Sequence, residues 1–406
     1  MQTLLSILYY LFVFFQIIVA IYILVPSFSL LSYFVLKALG IKTPFERKPF
    51  LTDKSFEFTF IITAHQEPQF ILPLVDSILK QHYQNFRIFV VADDCDMTGI
   101  TFTDQRITLL QPDPQLHSKI KSISHALQNF GHQPDAVIIL DSDNLIHPRF
   151  LQVMNSHFQK GYRVVQADFK PKNTDTVFAR MDAIGDMYNF FLDREMRMRL
   201  GLSSSIWGSG VAIDFNLYNE IKYSSFLGGF DKKMQAHLVQ RVPRMAFAPE
   251  AILYDEKITS GKSLETQRTR WISSYFTYFK DSAAIFSAGL KRGNFNLLYF
   301  GFITLRPPLF IILGLGFLIT VINFFISMPL FILWLCILAS FVLSFIGIVA
   351  VKGKSVKYIT ALLSMPLFVL RQVAALAKIK KAKKSFLKTE HTEVIFIDDL
   401  LKKEPA

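Results

Sequence analysis

Apolar runs at both ends of the chain bracket a middle of mixed composition, and that layout limits what the chain can fold into. Leu4–Val25 contains one strongly polar residue, Gln16, and is long enough as a helix to cross a hydrocarbon core of about 30 Å. Leu309–Ile326 and Leu330–Val351 are uncharged and separated only by Ser-Met-Pro, the pattern of a helical hairpin with almost no external loop. A cleaved export signal needs a basic start, and no Lys or Arg precedes Lys37. Pro26 is expected to end or kink the first helix, with Ser27–Leu39 continuing along the interface. The chain reads as a membrane protein carrying a soluble domain.

Charge sets the topology. Of the 406 residues, 44 are Lys or Arg and 32 are Asp or Glu, a formal net charge of +12. Much of the excess lies between Lys352 and Lys388, a stretch without acids. Lys37, Lys42, Arg47 and Lys48 follow the first apolar run, and Lys352, Lys354 and Lys357 follow the hairpin. The positive-inside rule then places the middle domain and the tail in the cytoplasm of a multi-pass protein of the inner or plasma membrane. Tyr358–Leu370 is apolar but short. Arg371 and the cluster Lys378, Lys380, Lys381, Lys383 and Lys384 follow it, so it is expected to be interfacial or re-entrant rather than a further crossing. The basic patch points to membrane lipids and not to nucleic acid, since no groove-reading motif accompanies it. Two cysteines, Cys95 and Cys336, exclude a disulfide scaffold and a cysteine-rich zinc site. The expected divisions are a membrane helix with its extension over 1–40 and a catalytic domain over 50–272. An amphipathic interfacial helix over 273–296, the membrane hairpin over 297–351 and an interfacial helix with a basic tail over 352–406 follow.

Within the middle, Glu57–Thr63, Phe86–Ala92, Ala136–Leu140 and Arg163–Ala167 read as strands, with helices over Pro68–Gln81 and His117–Asn129. Alternation of this kind predicts a parallel sheet covered by helices, with ligands beyond the carboxyl ends of the strands. The residues there are Ala64-His65-Gln66-Glu67, Asp93-Asp94 and Asp141-Ser142-Asp143. Acids at successive strand ends, without a glycine-rich phosphate loop, suit a divalent cation shared between carboxylates and a diphosphate.

The segments TAHQEP, VVADDCD, HSKIKSISHAL, LDSDN and QRTRW occur in the order found in family 2 glycosyltransferases. Over Phe58–Trp271 the chain resembles above all the membrane-embedded branch that includes cellulose, chitin and hyaluronan synthases. The resemblance implies the α/β GT-A fold of nucleotide-diphospho-sugar transferases and an inverting transfer from a UDP-sugar to a glycan acceptor, with Mg²⁺ or Mn²⁺ as cofactor. It implies that Asp93 meets the uracil, with Thr63, His65 and Glu67 lining the same slot. Lys119 would lie near the diphosphate, and Asp141 and Asp143 would hold the metal. Gln267, Arg268 and Arg270 would face the donor, with Trp271 and the Gly208-Ser209-Gly210 loop near the acceptor. The general base of the family is usually the last acid of a Thr/Ser-Glu-Asp motif, which is absent here. Leu227-Gly228-Gly229-Phe230-Asp231-Lys232 stands in its place and makes Asp231 the fitting carboxylate, with Asp255 and Glu256 as alternatives. A single addition to a lipid-linked acceptor, and a non-catalytic scaffold, are the competing functions. So few crossings enclose little space for a polymer, so long products would need a homo-oligomer or a second membrane subunit.

Overall fold

The computed structural model describes residues 2–223, 229–377 and 391–403. Eight strands, β1 (Phe58–His65), β2 (Phe86–Asp93), β3 (Ile107–Leu110), β4 (Ala136–Asp141), β5 (Leu145–Ile146), β6 (Val164–Pro171), β7 (Val211–Asp214) and β8 (Ala246–Asp255), form one sheet. Their order is β3-β2-β1-β4-β7-β6-β8-β5. The main helices before the membrane hairpin are α1 (Gln2–Ala38), α2 (Ile71–Leu79), α3 (Lys119–Gln128), α4 (Phe150–Gln159), α5 (Val177–Phe190), α6 (Phe230–Leu238), α7 (Gly261–Thr277), α8 (Phe279–Lys291) and α9 (Phe295–Thr304). The hairpin is α10 (Leu309–Ile326) and α11 (Met328–Gly353), followed by α12 (Met365–Ala377) and α13 (Ile397–Lys403).

The inner strands β1, β2 and β4 are mainly apolar because both faces of the sheet are covered. On β1, Phe58, Phe60, Ile62 and Ala64 join a core with Ile71, Leu74 and Ile78 of α2 and Phe150 and Met154 of α4. Ile61 points the other way, into a core with Ile120 and Ile123 of α3, Met234 of α6, and Leu297 and Phe300 of α9. The expected parallel sheet is found for β1, β2, β3 and β4, but the whole sheet is mixed. Strand β7 runs antiparallel to β4 and β6, and β5 runs antiparallel to β8. Both β5 and β7 are too short for a period-2 pattern to show in the sequence, which is why the alternation rule missed them.

On the membrane side, four helices are long and apolar enough to cross: Ser6–Ala38, Leu309–Ile326, Met328–Gly353 and Val356–Leu376. Helix α1 runs on through Pro26 instead of ending there. The fourth segment is longer than Tyr358–Leu370 because Arg371 does not stop it. That guanidinium lies 2.7 Å from Glu265 of α7, so its charge is paired against the domain. The Lys378–Lys384 cluster lies outside the described residues.

Gln16 explains its own presence in an apolar helix. Its side-chain oxygen accepts hydrogen bonds from Asn323 Nδ2 of α10 at 2.8 Å and from Trp334 Nε1 of α11 at 2.7 Å. Nearby, Ser27 of α1 meets Ser340 at 2.6 Å and accepts from Ser344 at 2.8 Å, both on α11. Polar side chains bonded across helices fix rotation and register in a medium where apolar packing alone discriminates weakly. Replacing Gln16 by Leu strands two buried donors. It should destabilise the three-helix association by about 1 kcal/mol, read as a lower midpoint in detergent-titrated unfolding of the full-length protein.

Candidate active site

Parallel strands that stop at one edge deliver their last residues side by side. The register opposes Thr63 to Asp141 and His65 to Asp93, so the β1, β2 and β4 ends form one shelf. A cavity of about 1210 Å³ opens beyond that shelf, lined by Thr63, His65, Glu67, Asp93, Lys119, Asp141, Asp143, Gly208, Ser209, Asp231, Gln267, Arg268, Arg270 and Trp271 but not by Gly210. A site for one small molecule usually occupies about 300–1,000 Å³, so this cavity has room for two substrates.

At the β2 end, Asp93 is buried and its carboxylate accepts the backbone N–H groups of Leu116 at 2.7 Å and His117 at 2.8 Å. His65 Nδ1 lies 3.2 Å from the same carboxylate. Gln66, Asp94 and His117 all hold left-handed backbone, with φ of 60°, 53° and 48°. Strain of this kind in non-glycine residues persists where the surroundings impose it, and it gathers at binding sites. His65, Asp93 and His117 also stand close enough together to offer a cation three ligand atoms. Both Asp93 oxygens are already used by backbone donors, however, which suits a loop clamp better than a metal ligand.

At the β4 end, Lys119 Nζ of α3 sits 2.5 Å from Asp141 and donates to the Gly208 carbonyl at 3.0 Å. Ser209 turns its hydroxyl inward, bonding Asn144 at 2.5 Å and accepting the Asp141 N–H at 3.2 Å. It thereby fixes the acidic loop. Asp143 lies buried, with His391 3.5 Å away and Lys172 donating to its backbone carbonyl. Burial pushes the Asp143 carboxyl up to about 6; His391 opposes this, while Asp255 and Asp141 add to it. Burial works against the His391 imidazolium, yet Asp143 and Glu256 raise its pKa to about 9. Carboxylate oxygens gathered on one buried loop are a hard donor set that a divalent cation fits.

His391 had no signal in the sequence. It reaches the site because α13 docks back on the domain, with Ile397 and Leu400 packed on Leu145 and Tyr254, and Asp398 2.8 Å from Lys80. Glu256 accepts the N–H groups of Thr392 at 2.9 Å and Glu393 at 3.1 Å, which holds this return in place. Asp255 is likewise engaged, 2.8 Å from Lys257 and accepting from Asn144 at 3.3 Å.

Asp231 enters the cavity from the first turn of α6, next to Gly229 with φ 68°. Leu227 and Gly228 of the same segment lie outside the described residues. A Cβ on Gly208 would sit 2.7 Å from the far edge of the Phe230 ring, so the loop and the first turn of α6 pack closely here. QRTRW lies inside α7. Arg268 is buried, 2.6 Å from Asp182, and stacks 4.2 Å from the Trp271 ring centre. Arg270 lines the same cavity; burial lowers its pKa while Asp141 raises it. Gln267 has its side-chain oxygen buried without a partner. Trp271 remains 40% exposed, 6.2 Å from Trp207, a ring the sequence did not flag.

A family model described as Glycosyltransferase like family 2 matches residues 56–274, more than half of the chain. The chain belongs to that family. Its fold is the GT-A fold, a mixed α/β sheet flanked by helices apolar enough to span a membrane. The mannosyltransferase PcManGT from Pyrobaculum calidifontis, in complex with GDP-Man and Mn²⁺, is similar over 90% of this chain and 99% of its own. That match has 15% sequence identity and a TM-score of 0.52, a likeness of fold. S. aureus TarS is similar over 56% of this chain and 39% of its own, at 14% identity and a TM-score of 0.38. No curated protein sequence matches this chain.

In this glycosyltransferase, Gly208→Ala presses a methyl group on the Phe230 ring, beside Asp231 in the first turn of α6. Small displacements of a reacting group can cost about a hundredfold in rate. Transfer should therefore fall by at least about tenfold with little change in nucleotide affinity. Steady-state rates and nucleotide titration of the same preparation check this.

Proposed function

We propose that this glycosyltransferase moves a sugar from a UDP-sugar to an acceptor hydroxyl at the cytoplasmic face of the membrane, with inversion at the anomeric carbon. The observation that carries the proposal is the meeting of Asp231, the Lys119–Asp141 pair and Arg270 on one cavity whose far side is built from membrane helices. The uracil would lie against the Asp93 clamp, with Thr63, His65 and Glu67 around it. Lys119 and Arg270 would face the diphosphate, whose oxygens a planar guanidinium can bond in pairs. Asp231 takes the proton of the acceptor hydroxyl as that oxygen bonds the anomeric carbon. The bond from that carbon to the diphosphate breaks on the opposite side, and the electron pair leaves with UDP.

Asp141 and Asp143 would hold Mg²⁺ or Mn²⁺, with His391 and Asp255 beside them. Such a cation supplies Lewis-acid stabilisation of the charge on the departing diphosphate. Trp271 and Trp207 offer ring faces to an acceptor sugar. The cytoplasmic placement rests on the Lys and Arg that follow α1 and α11.

Asp231→Asn should bind UDP as the wild type does yet lose turnover by about a hundredfold or more, the range for loss of a general base. Calorimetric UDP titration and rates at saturating donor check it; surviving turnover with collapsed UDP affinity would move Asp231 to the donor site. Asp143→Asn removes charge from the cation site without changing volume. Its transfer should drop to background at saturating Mg²⁺ and Mn²⁺ while the melting temperature holds, and near-normal turnover would contradict the metal assignment.

A further inference from the structure

The cavity does not end with the strand edge. Past Trp207 and Trp271 it continues between α10, α11 and the Val356–Leu376 segment. Phe310, Leu313 and Phe317 line it from α10, and Leu338, Val342 and Phe345 from α11, each set at helical spacing along one face. Such stripes normally mark packed helix contacts, but here they border open space. Phe317 and Val342 are both more than half exposed, so the cleft opens sideways, toward lipid.

Its depth discriminates between occupants. On α10 the lining stops at Phe317 and on α11 at Leu338, about 14 Å and about 15 Å short of the far end of the hairpin at 1.5 Å per residue. That leaves about half of a hydrocarbon core about 30 Å thick beyond the cleft. Among the described residues, none from 318 to 337 and none of α1 lines the cavity. A growing polysaccharide needs a polar conduit through the whole membrane, whereas this cleft is apolar and reaches one leaflet.

Between cleft and shelf lies a cationic neck. Arg194 and Arg197 are buried, and each has two guanidinium nitrogens without a hydrogen-bond partner. Arg194 packs 4.1 Å from the Phe190 ring centre and 4.4 Å from that of Trp207. Arg197 pairs with Asp193 at 2.7 Å, and Arg306 approaches the same acid at 3.4 Å. Spare N–H donors beside an aromatic platform suit an oxygen-rich head group.

We propose that the acceptor is a glycolipid, its hydrocarbon chain lying in the cleft between α10, α11 and the Val356–Leu376 segment and its hydroxylated head between the Arg194–Arg197 neck and Trp207. This rests on the assignment of the Asp231 cavity as the transfer site. The head group's hydroxyl then reacts as described above, its proton going to Asp231 and UDP leaving.

The test uses the full-length protein in nanodiscs of phosphatidylethanolamine and phosphatidylglycerol, doped with an alkyl glucoside bearing a diazirine in its chain. Irradiation should label Leu313, Phe317 and Val342 several-fold more than the exposed Leu343 and Phe325, which lie outside the cavity. Val342→Trp fills the cleft. It should cut radiolabel from UDP-sugars in the organic extract by at least about tenfold, the scale of a displaced acceptor, with UDP affinity unchanged. Uniform labelling, water-soluble polymer as the product, or a Val342→Trp enzyme of normal rate would overturn the proposal. Wild-type protein that fails to bind UDP would instead overturn the transfer site, a failure the labelling pattern keeps distinct.

Discussion

Four acids on one helix and the turn after it tie the shelf to the helices apolar enough to span a membrane. Helix α5 and the π-helical turn Phe191–Met196 after it carry Asp182, Asp186, Asp193 and Glu195. Asp182 holds Arg268 of α7 at 2.6 Å, and Asp186 holds Lys257 beyond β8 at 2.5 Å. Asp193 faces Arg306 ahead of α10, and Glu195 meets Lys352 of α11 at 2.8 Å. Buried pairs of this kind add little net stability against well-packed apolar groups, since desolvation offsets the Coulomb gain. Breaking one strands a charge, so they act mainly on geometry. The π segment, a widened turn often found at functional sites, carries Asp193 toward Arg306 and Glu195 toward Lys352. Shelf, neck and cleft keep one alignment because this helix spans all three.

The part of the site that was legible in the sequence is the part that a parallel sheet dictates. Thr63, His65, Asp93, Asp141 and Asp143 follow apolar runs, and any such sheet brings the ends of its strands to one edge. Asp231 and QRTRW were legible by resemblance in motif order. Illegible were contacts made across long separations without a local pattern. Lys257 and Asp186 are 71 residues apart, and Lys352 and Glu195 are 157 apart. His391 arrives from beyond the membrane helices, anchored by two apolar residues of a short helix.

In the membrane the sequence exposed anomalies more readily than their resolution. Gln16 stood out at once, but its two donors sit on helices that follow it by about three hundred residues. Arg371 read as a boundary because an unpaired guanidinium is costly in lipid, and its partner Glu265 lies in the soluble domain. The stripes on α10 and α11 have the period of packing faces. Only three-dimensional placement separates a stripe that touches a neighbour from one that borders a cavity.

The central claim is that the acids closing β4, and not the clamp closing β2, receive the metal and the diphosphate. Crystals of the full-length protein grown with UDP and Mn²⁺, measured at the manganese absorption edge, test it directly. The anomalous peak should lie between Asp141 and Asp143, with the diphosphate toward Lys119 and Arg270 and the uracil against Asp93. A peak within His65, Asp93 and His117 would contradict the account and assign that triad to the cation instead.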